Sequence, residues 1–261
     1  MRIEFLTQDD QLYILPFFDE FLRHYASTFE VIQVSCCPTM GKRSRTQLLK
    51  ELTALYGPIG VTRLAGRAGI SKALGKVPKG KDARRFHTLE QLCHAYRIPF
   101  EKIGNPNTEA FVESLRRRSP ELLASVACPY ILKQPILNVA PLGAINVHHA
   151  PLPRYKGMMP TFWQMFHNEK TVGVTVHYMS AKIDEGDALF QDQQFIEPGE
   201  TLDHLIQRSK RHGAHCMAGV MRQIQEGSVT RIALDKSQSS YFTFPTSDEI
   251  REFRRRGFRA I

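Results

Sequence analysis

The sequence predicts an α/β fold: a twisted, mainly parallel sheet flanked by helices, with an antiparallel hairpin in the C-terminal half. Short apolar runs alternate with segments of helical periodicity along the chain, a pattern typical of the strand-helix units that build parallel sheets. The last two apolar runs are separated only by residues 180–187, too few for the helical crossover that parallel pairing requires. These two runs should therefore form the hairpin.

The individual elements follow from periodicity. Strands are predicted at 3–6, 30–36, 122–128, 144–149, 172–179 and 188–196. Leucines at 48, 49, 52 and 55 and apolar residues between 202 and 224 recur at helical spacing, and Thr201 is a suitable N-cap for the second of these helices. Six glycines between 57 and 80 predict an irregular stretch. The charged tail after residue 246 is predicted to be a solvated surface helix. We expect one domain over 1–230 and a short C-terminal extension over 231–261.

Composition restricts the class of protein more than its function. The chain has 261 residues, of which 42% are apolar and 23% charged, as in ordinary soluble globular proteins. It contains neither a run of about 20 apolar residues, as a membrane span needs, nor an N-terminal signal pattern. We therefore expect a cytoplasmic protein without membrane partners.

The positive charge is concentrated in one segment. The formal net charge is +9, and residues 41–86 hold 12 lysines and arginines against Glu51 and Asp82. The remainder of the chain is therefore close to neutral, and any nucleic acid or phosphate contact should involve this segment. Five cysteines without a CxxC pair suggest neither a disulfide framework nor a cysteine zinc site.

Polar groups able to do chemistry are densest in AINVHHAPLPRYKG, residues 144–157. Alternation along a strand places Asn146 and His148 on one face and His149 on the other. Asp184 in the turn KIDEGD is a carboxylate that could orient and charge an imidazole. An amide donor, an imidazole and a carboxylate suffice for acyl transfer to an amine, which needs a stabilised oxyanion and movable protons.

The order of motifs resembles the folate-dependent formyltransferase family. INVHHAPLPRYKG, MPTFWQMFHN, VGVTVHYM and KIDEGDALFQ follow one another as the family's Asn-x-His strand, loop, helix, GVTVH strand and Asp-x-Gly turn do. The resemblance implies a Rossmann-like formyltransferase fold, with residues 1–230 as the catalytic domain. It implies 10-formyltetrahydrofolate as co-substrate. It also implies that Asn146 and His148 stabilise the oxyanion and transfer protons, and that Asp184 supports the positive charge on His148.

The resemblance also implies binding residues. The segment CPYILKQPILNV stands where the family lines its folate pocket, so Tyr130, Ile131 and Leu132 are expected on one wall and Met179 and Ile183 on the other. His149 and Ala150 depart from the family's Pro-Ser after the catalytic histidine. His177 on the GVTVH strand is expected to be structural. No metal is expected, because His148, His149, His177 and Asp184 lack the spacing of a zinc motif.

The acceptor is assigned by elimination within the family. Methionyl-tRNA formyltransferases have a further C-terminal domain. Glycinamide ribonucleotide formyltransferases have a glycine-rich loop after the first strand, and at that position this chain reads FLTQDDQLY. Stand-alone enzymes that formylate nucleotide-linked amino sugars fit the layout best. The residues expected to contact a diphosphate are Lys76, Lys79, Lys81, Arg84 and Arg85. Alternatives are a methionyl-tRNA formyltransferase-like enzyme, a formyltetrahydrofolate hydrolase and an inactive basic RNA-binding protein. A homodimer is left open.

Overall fold

The computed structural model describes residues 1–10, 12–39 and 44–261, and within them the main element is a seven-stranded sheet. The strands are β1 Arg2–Gln8, β2 Glu30–Cys37, β3 Phe100–Lys102, β4 Leu122–Val126, β5 Ala144–His148, β6 Lys156–Gly157, β7 Thr171–Tyr178, β8 Ala188–Phe195 and β9 Tyr241–Phe242. The strand order in the sheet is β3-β2-β1-β4-β5-β7-β8, and β6 pairs separately with β9. β1 to β5 pair in parallel, whereas β7 is antiparallel to both β5 and β8.

The predicted fold class is confirmed, including the antiparallel hairpin of β7 and β8. All six predicted strands are present with small shifts at their ends. Among the described residues, the strands that the sequence did not reveal are β3, β6 and β9, which have only two or three residues each. Such short segments are set by their neighbours, because no alternating pattern can develop over two or three positions.

Helices cover both faces and one end of the sheet. They are α1 Leu15–Tyr25, α2 Arg45–Leu74, α3 Leu89–Ala95, α4 Glu109–Arg118, α5 Gln134–Leu137, α6 Pro160–Phe166, α7 Leu202–Glu226 and α8 Ser247–Arg255. Ile3 and Phe5 of β1 point into the cluster shared with α1 and α7, whereas Leu6 points into the cluster shared with α4 and α5. This alternation gives a helix-sheet-helix sandwich. No helix in the described ranges is both long and apolar enough to cross a bilayer.

The prediction of an irregular stretch over 57–80 is wrong up to Leu74. α2 continues to Leu74, broken only at Gly57, whose φ of 71° interrupts the helix before Pro58. Interior glycines weaken a helix by roughly 0.5–1 kcal/mol each. Packing offsets that cost, because Leu55, Tyr56 and Leu64 are buried in a cluster with α6, α7 and α8.

The C-terminal tail is packed on the rest of the protein, so the prediction of a solvated surface helix is wrong. α8 begins with a capping box formed by Thr246 and Glu249. It buries Ile250 and Phe253, and the Phe253 ring stacks on Phe162 of α6 at a centroid distance of 4.7 Å. The division of the chain at residue 230 stays a prediction.

Candidate active site

Neighbouring strands bring four polar side chains to one face of the sheet. Ile145 and Val147 of β5 pack beneath α7, so Asn146 and His148 project from the opposite face. The antiparallel partner β7 places His177 opposite Asn146 and Thr175 opposite His148. His148 and His177 are both buried, at 7% and 2% exposure, so each ring depends on protein atoms for its hydrogen bonds.

Asp184 reaches this face from the turn between β7 and β8. Its backbone has a φ of 51°, a left-handed conformation that aspartate tolerates better than most residues. The carboxylate Oδ2 accepts a hydrogen bond of 2.9 Å from the Gly157 N–H and lies 3.6 Å from Nδ1 of His148, while Oδ1 lies 3.8 Å from Nε2 of His177. The structure thus brings together all three residues predicted to be catalytic.

The turn fits only because residue 186 is glycine. A Cβ atom on Gly186 would lie 1.6 Å from the carbonyl oxygen of Tyr178. Any side chain there would push the turn off the end of β7. Gly186 therefore helps to fix the position of Asp184, two residues earlier.

His177 orients Asn146. Its Nδ1 lies 2.8 Å from the Tyr178 carbonyl oxygen, which can only accept, so Nδ1 carries the proton. Nε2 is then free to accept from the Asn146 amide Nδ2 at 3.1 Å. Burial lowers the pKa of His177, with Asp184 acting in the opposite direction, which favours the neutral ring that this arrangement needs. One N–H of Asn146 is thereby fixed, and its second N–H remains for a ligand.

Both ring nitrogens of His148 face protein atoms. Nε2–H donates to the Tyr155 carbonyl oxygen at 2.8 Å, and Nδ1 faces Asp184 at a distance longer than a hydrogen bond. Exchange of a proton with a substrate therefore requires either a rotation of the ring away from Tyr155 or access to Nδ1 beside Asp184.

The adjacent imidazole lies on the other side of the sheet, as predicted. Nδ1 of His149 lies 2.9 Å from Ser209 Oγ, and its ring packs where a Cβ on Gly213 of α7 would stand. Burial, with nearby Lys210, lowers the pKa of His149 well below its ordinary value. His149 is therefore separated from the three predicted catalytic residues by the sheet itself.

The predicted folate contacts fall into two groups. Ile131 is 53% exposed and Ile183 is 38% exposed, so both present apolar surface, and Tyr130 and Met179 are half-buried. Asn107 holds the 131–133 loop by donating to the Ile131 carbonyl oxygen and accepting from the Lys133 N–H. The contact expected of Leu132 needs correction, because its side chain is fully buried in the core and offers a ligand no side-chain surface.

A depression of about 550 Å³ lies beside the turn that carries Asp184. Met179, Ser180 and Glu185 line one side, and Gln134 and Leu137 of α5 line the other. As far as the described residues show, its lining contains none of the three predicted catalytic residues. It adjoins their site and shares Met179 with the predicted folate wall.

The five predicted phosphate contacts are not gathered at this site. Lys79 donates to the Arg85 carbonyl oxygen and lines a shallow surface with Ile98 and Pro99, just before β3 begins. Arg23, in the last turn of α1, donates to the Ala83 carbonyl oxygen. This part of the segment, with Arg84 beside it, therefore lies near the end of the sheet where the strands start. Lys76 and Lys81 are exposed.

Sequence reasoning missed a buried cation. Lys210 of α7 is 9% exposed, and among the described residues it forms no hydrogen bond or ion pair. Burial lowers its pKa to about 8, opposed by Asp10. Asp10 follows β1, and its carboxylate accepts from the N–H groups of Leu12 and Tyr13. The sequence did indicate this burial, because position 210 falls on the apolar face of the helix predicted between residues 202 and 224.

Comparison with known proteins reveals both close sequence relatives and structural neighbours. A sequence model described as "Formyl transferase" matches residues 76–221. A methionyl-tRNA formyltransferase of Syntrophus aciditrophicus is 36% identical over 147 residues, which are 56% of this chain and 47% of that protein. This chain thus spans about half the length of the curated relatives it matches.

Solved structures show the same fold. Glycinamide ribonucleotide transformylase 1 from Symbiobacterium toebii superposes with a TM-score of 0.61 at 17% identity, covering 90% of this chain and 94% of that one. An N-formyltransferase from Helicobacter canadensis, solved with folinic acid and dTDP-3-aminofucose, has a TM-score of 0.56 at 16% identity, covering 97% of this chain and 79% of that one. Because the sequence model covers more than half of its residues, this chain belongs to the formyl transferase family.

Proposed function

We propose that this protein transfers a formyl group from 10-formyltetrahydrofolate to a primary amine. The observation that carries the proposal is the meeting of Asn146, His148 and Asp184 on one sheet face. Ile131, on the loop after β4, adds exposed apolar surface. The three polar side chains supply an oxyanion donor, a proton carrier and a charge that supports it. Family membership supports the same reaction class.

The chemistry assigns a part to each side chain. The acceptor amine attacks the formyl carbon, the bond from that carbon to the folate nitrogen breaks, and the folate nitrogen takes a proton. Asn146, held by His177, directs its second amide N–H toward the oxyanion. His148 stabilises the same oxyanion, delivers a proton to the departing folate nitrogen, and takes up the proton that the nitrogen of the attacking amine must lose. Asp184, 3.6 Å from Nδ1, orients the His148 ring.

For the acceptor we propose an amino sugar carried on a nucleotide diphosphate. The Helicobacter canadensis neighbour was solved with such a compound. In this chain Lys210 is buried, forms no hydrogen bond or ion pair within the described ranges, and lies close enough to Asp10 to perturb its ionisation. Asp10 follows the carboxyl end of β1. A buried ammonium attracts an anion strongly, since little water screens it. A phosphate of the acceptor is the ligand that this cation fits.

Methionyl-tRNA is the second candidate, favoured by the sequence relatives and by the position of the basic segment. α1 has eleven residues, about 16 Å of helix, and lies between the carboxyl ends of the strands and the Ala83–Arg85 region. If Lys79, Arg84 and Arg85 contact the acceptor while it reacts at Asn146, that acceptor must be long. A tRNA meets this requirement readily, whereas a sugar nucleotide would have to be fully extended.

The test is an acceptor screen with purified protein and 10-formyltetrahydrofolate. The proposal expects N-formylation of a dTDP-linked amino sugar that Asp184→Asn reduces strongly, with folate affinity retained. Formylation of methionyl-tRNA instead, with binding that weakens steeply as salt rises, would replace the acceptor. Formate release without any amine would indicate a hydrolase. RNA binding without folate affinity would reject the enzymatic proposal altogether.

A further inference from the structure

Three metal-ligating side chains meet between β8 and α7, away from the site described above. Asp192 lies on β8, which is the edge strand of the sheet, and His212 and Cys216 lie one turn apart on α7. One ligand atom from each residue lies within 4.8 Å of the other two. Asp192 pairs with Val174 of β7, whose side chain packs beneath α7. The cluster is thus on the sheet face opposite Asn146.

The protein's own contacts satisfy this cluster only in part. Nε2 of His212 is buried and lies 2.9 Å from Oδ2 of Asp192, yet within the described part of the chain it has no properly directed hydrogen bond. Gln194, two residues along the same strand face, also has a buried Oε1 without a partner there. Buried polar atoms are normally hydrogen-bonded, so unpaired atoms here point to a ligand that the protein alone does not supply.

The donor set selects the kind of metal. An imidazole, a thiolate and a carboxylate are the ligands that Zn²⁺ combines, whereas Mg²⁺ and Ca²⁺ take oxygen ligands. Bonds of about 2.0–2.3 Å in a tetrahedron place ligand atoms about 3.3–3.7 Å apart. Nε2 of His212 lies 2.9 Å from Oδ2 of Asp192, and no two of the three ligand atoms lie more than 4.8 Å apart, so modest side-chain rotations close the site. Asp192 is exposed, which gives an ion a route from solvent.

We propose that Asp192, His212 and Cys216 bind Zn²⁺ and fasten the edge strand β8 to α7. The Cys216 thiol releases its proton to solvent as the sulfur-metal bond forms, His212 binds through the lone pair of Nε2, and Asp192 binds through a carboxylate oxygen. Water completes the coordination. Thiolate and carboxylate together neutralise the ion. The role is structural and independent of the proposed formyl transfer.

The test is titration of the chelator-treated full-length protein with Co²⁺, which reports thiolate coordination by a charge-transfer absorption in the near-ultraviolet. We expect saturation at about one equivalent, displacement by Zn²⁺ and a higher melting temperature with Zn²⁺. His212→Ala and Cys216→Ala should lose the absorption. Asp192→Asn, which alters an exposed side chain, should weaken binding at least tenfold.

Two matched controls accompany these variants. His204→Ala removes an exposed histidine of α7 outside the cluster, and Cys128→Ala removes a thiol elsewhere, so both should bind Co²⁺ as the wild type does. Absence of the absorption in wild-type protein, its survival in Cys216→Ala, or its loss in Cys128→Ala would each overturn the proposal. His212→Ala and Asp192→Asn keep the test decisive should Cys216→Ala fail to fold.

Discussion

Lys210→Met should make the protein more stable and less functional. Burial lowers the pKa of Lys210 from 10.5 to about 8, a difference of about 2.5 units, and each unit corresponds to about 1.36 kcal/mol. Holding the charged lysine in the fold at neutral pH thus costs about 3 kcal/mol. Removing it also leaves Asp10 without its nearby cation, so we expect a net gain of about 1–3 kcal/mol.

The pH dependence has a defined sign. Between pH 8 and 10.5 the unfolded chain retains the Lys210 proton while the folded chain loses it, so wild-type stability should rise with pH across this window. Below pH 8 the cost is fully present. Lys210→Met should lack this rise, so the difference in unfolding free energy between the two proteins should shrink from pH 7 to pH 10. Asp10 and His149 are present in both proteins, and Lys210 influences the ionisation of both.

The assay is urea unfolding of both proteins at a series of pH values, together with acceptor affinity. Lys210→Arg is the control variant, because it changes the side chain but keeps the positive charge that Lys210→Met removes. A Lys210→Met protein no more stable than the wild type at pH 7, or a stability difference that does not change with pH, would show that the buried lysine charge does not destabilise the fold. Unchanged acceptor affinity in Lys210→Met would separately remove Lys210 from the acceptor site.

Three further predictions concern the positioning of the site and the tail. Gly186→Ala must shift the turn by at least 1.4 Å to restore a 3.0 Å contact, so we expect turnover to fall about 10²-fold. Gly104→Ala, where a Cβ meets open space, is its control, and equal turnover of the two variants would refute this account. His177→Ala should lower kcat more than it raises KM, because it releases the Asn146 amide, and a pure KM effect would argue against a positioning role. Phe253→Ala should reduce the free energy of unfolding by about 3–5 kcal/mol in urea, whereas a change below 1 kcal/mol would mean that the tail is peripheral.

The sequence predicted those parts of the fold and site that depend on local pattern. Alternation along β5 was enough to place Asn146 and His148 on one face and His149 on the other, and short separation was enough to make β7 and β8 antiparallel. These inferences need only two rules: side chains alternate between the two faces of a strand, and a short connection cannot join parallel strands.

Features that depend on tertiary packing were not predictable in this way. The continuation of α2 past its glycines is sustained by the burial of Leu55 and Leu64 against helices distant in sequence. The burial of Phe253 likewise depends on Phe162 of α6. The hydrogen bond between His177 and Asn146 follows from strand register, which the sequence of one strand does not specify.

Transfer from 10-formyltetrahydrofolate requires this compound to bind at the sheet face with Asn146, His148 and Asp184. This binding is tested most directly by calorimetric titration with a non-reactive analogue of that compound, comparing wild type with Ile131→Trp and with Ile59→Trp as a control on exposed α2 surface. We expect the wild type and the Ile59→Trp control to bind the analogue and Ile131→Trp to lose binding. No binding at micromolar analogue, or equal binding by all three proteins, would contradict this expectation.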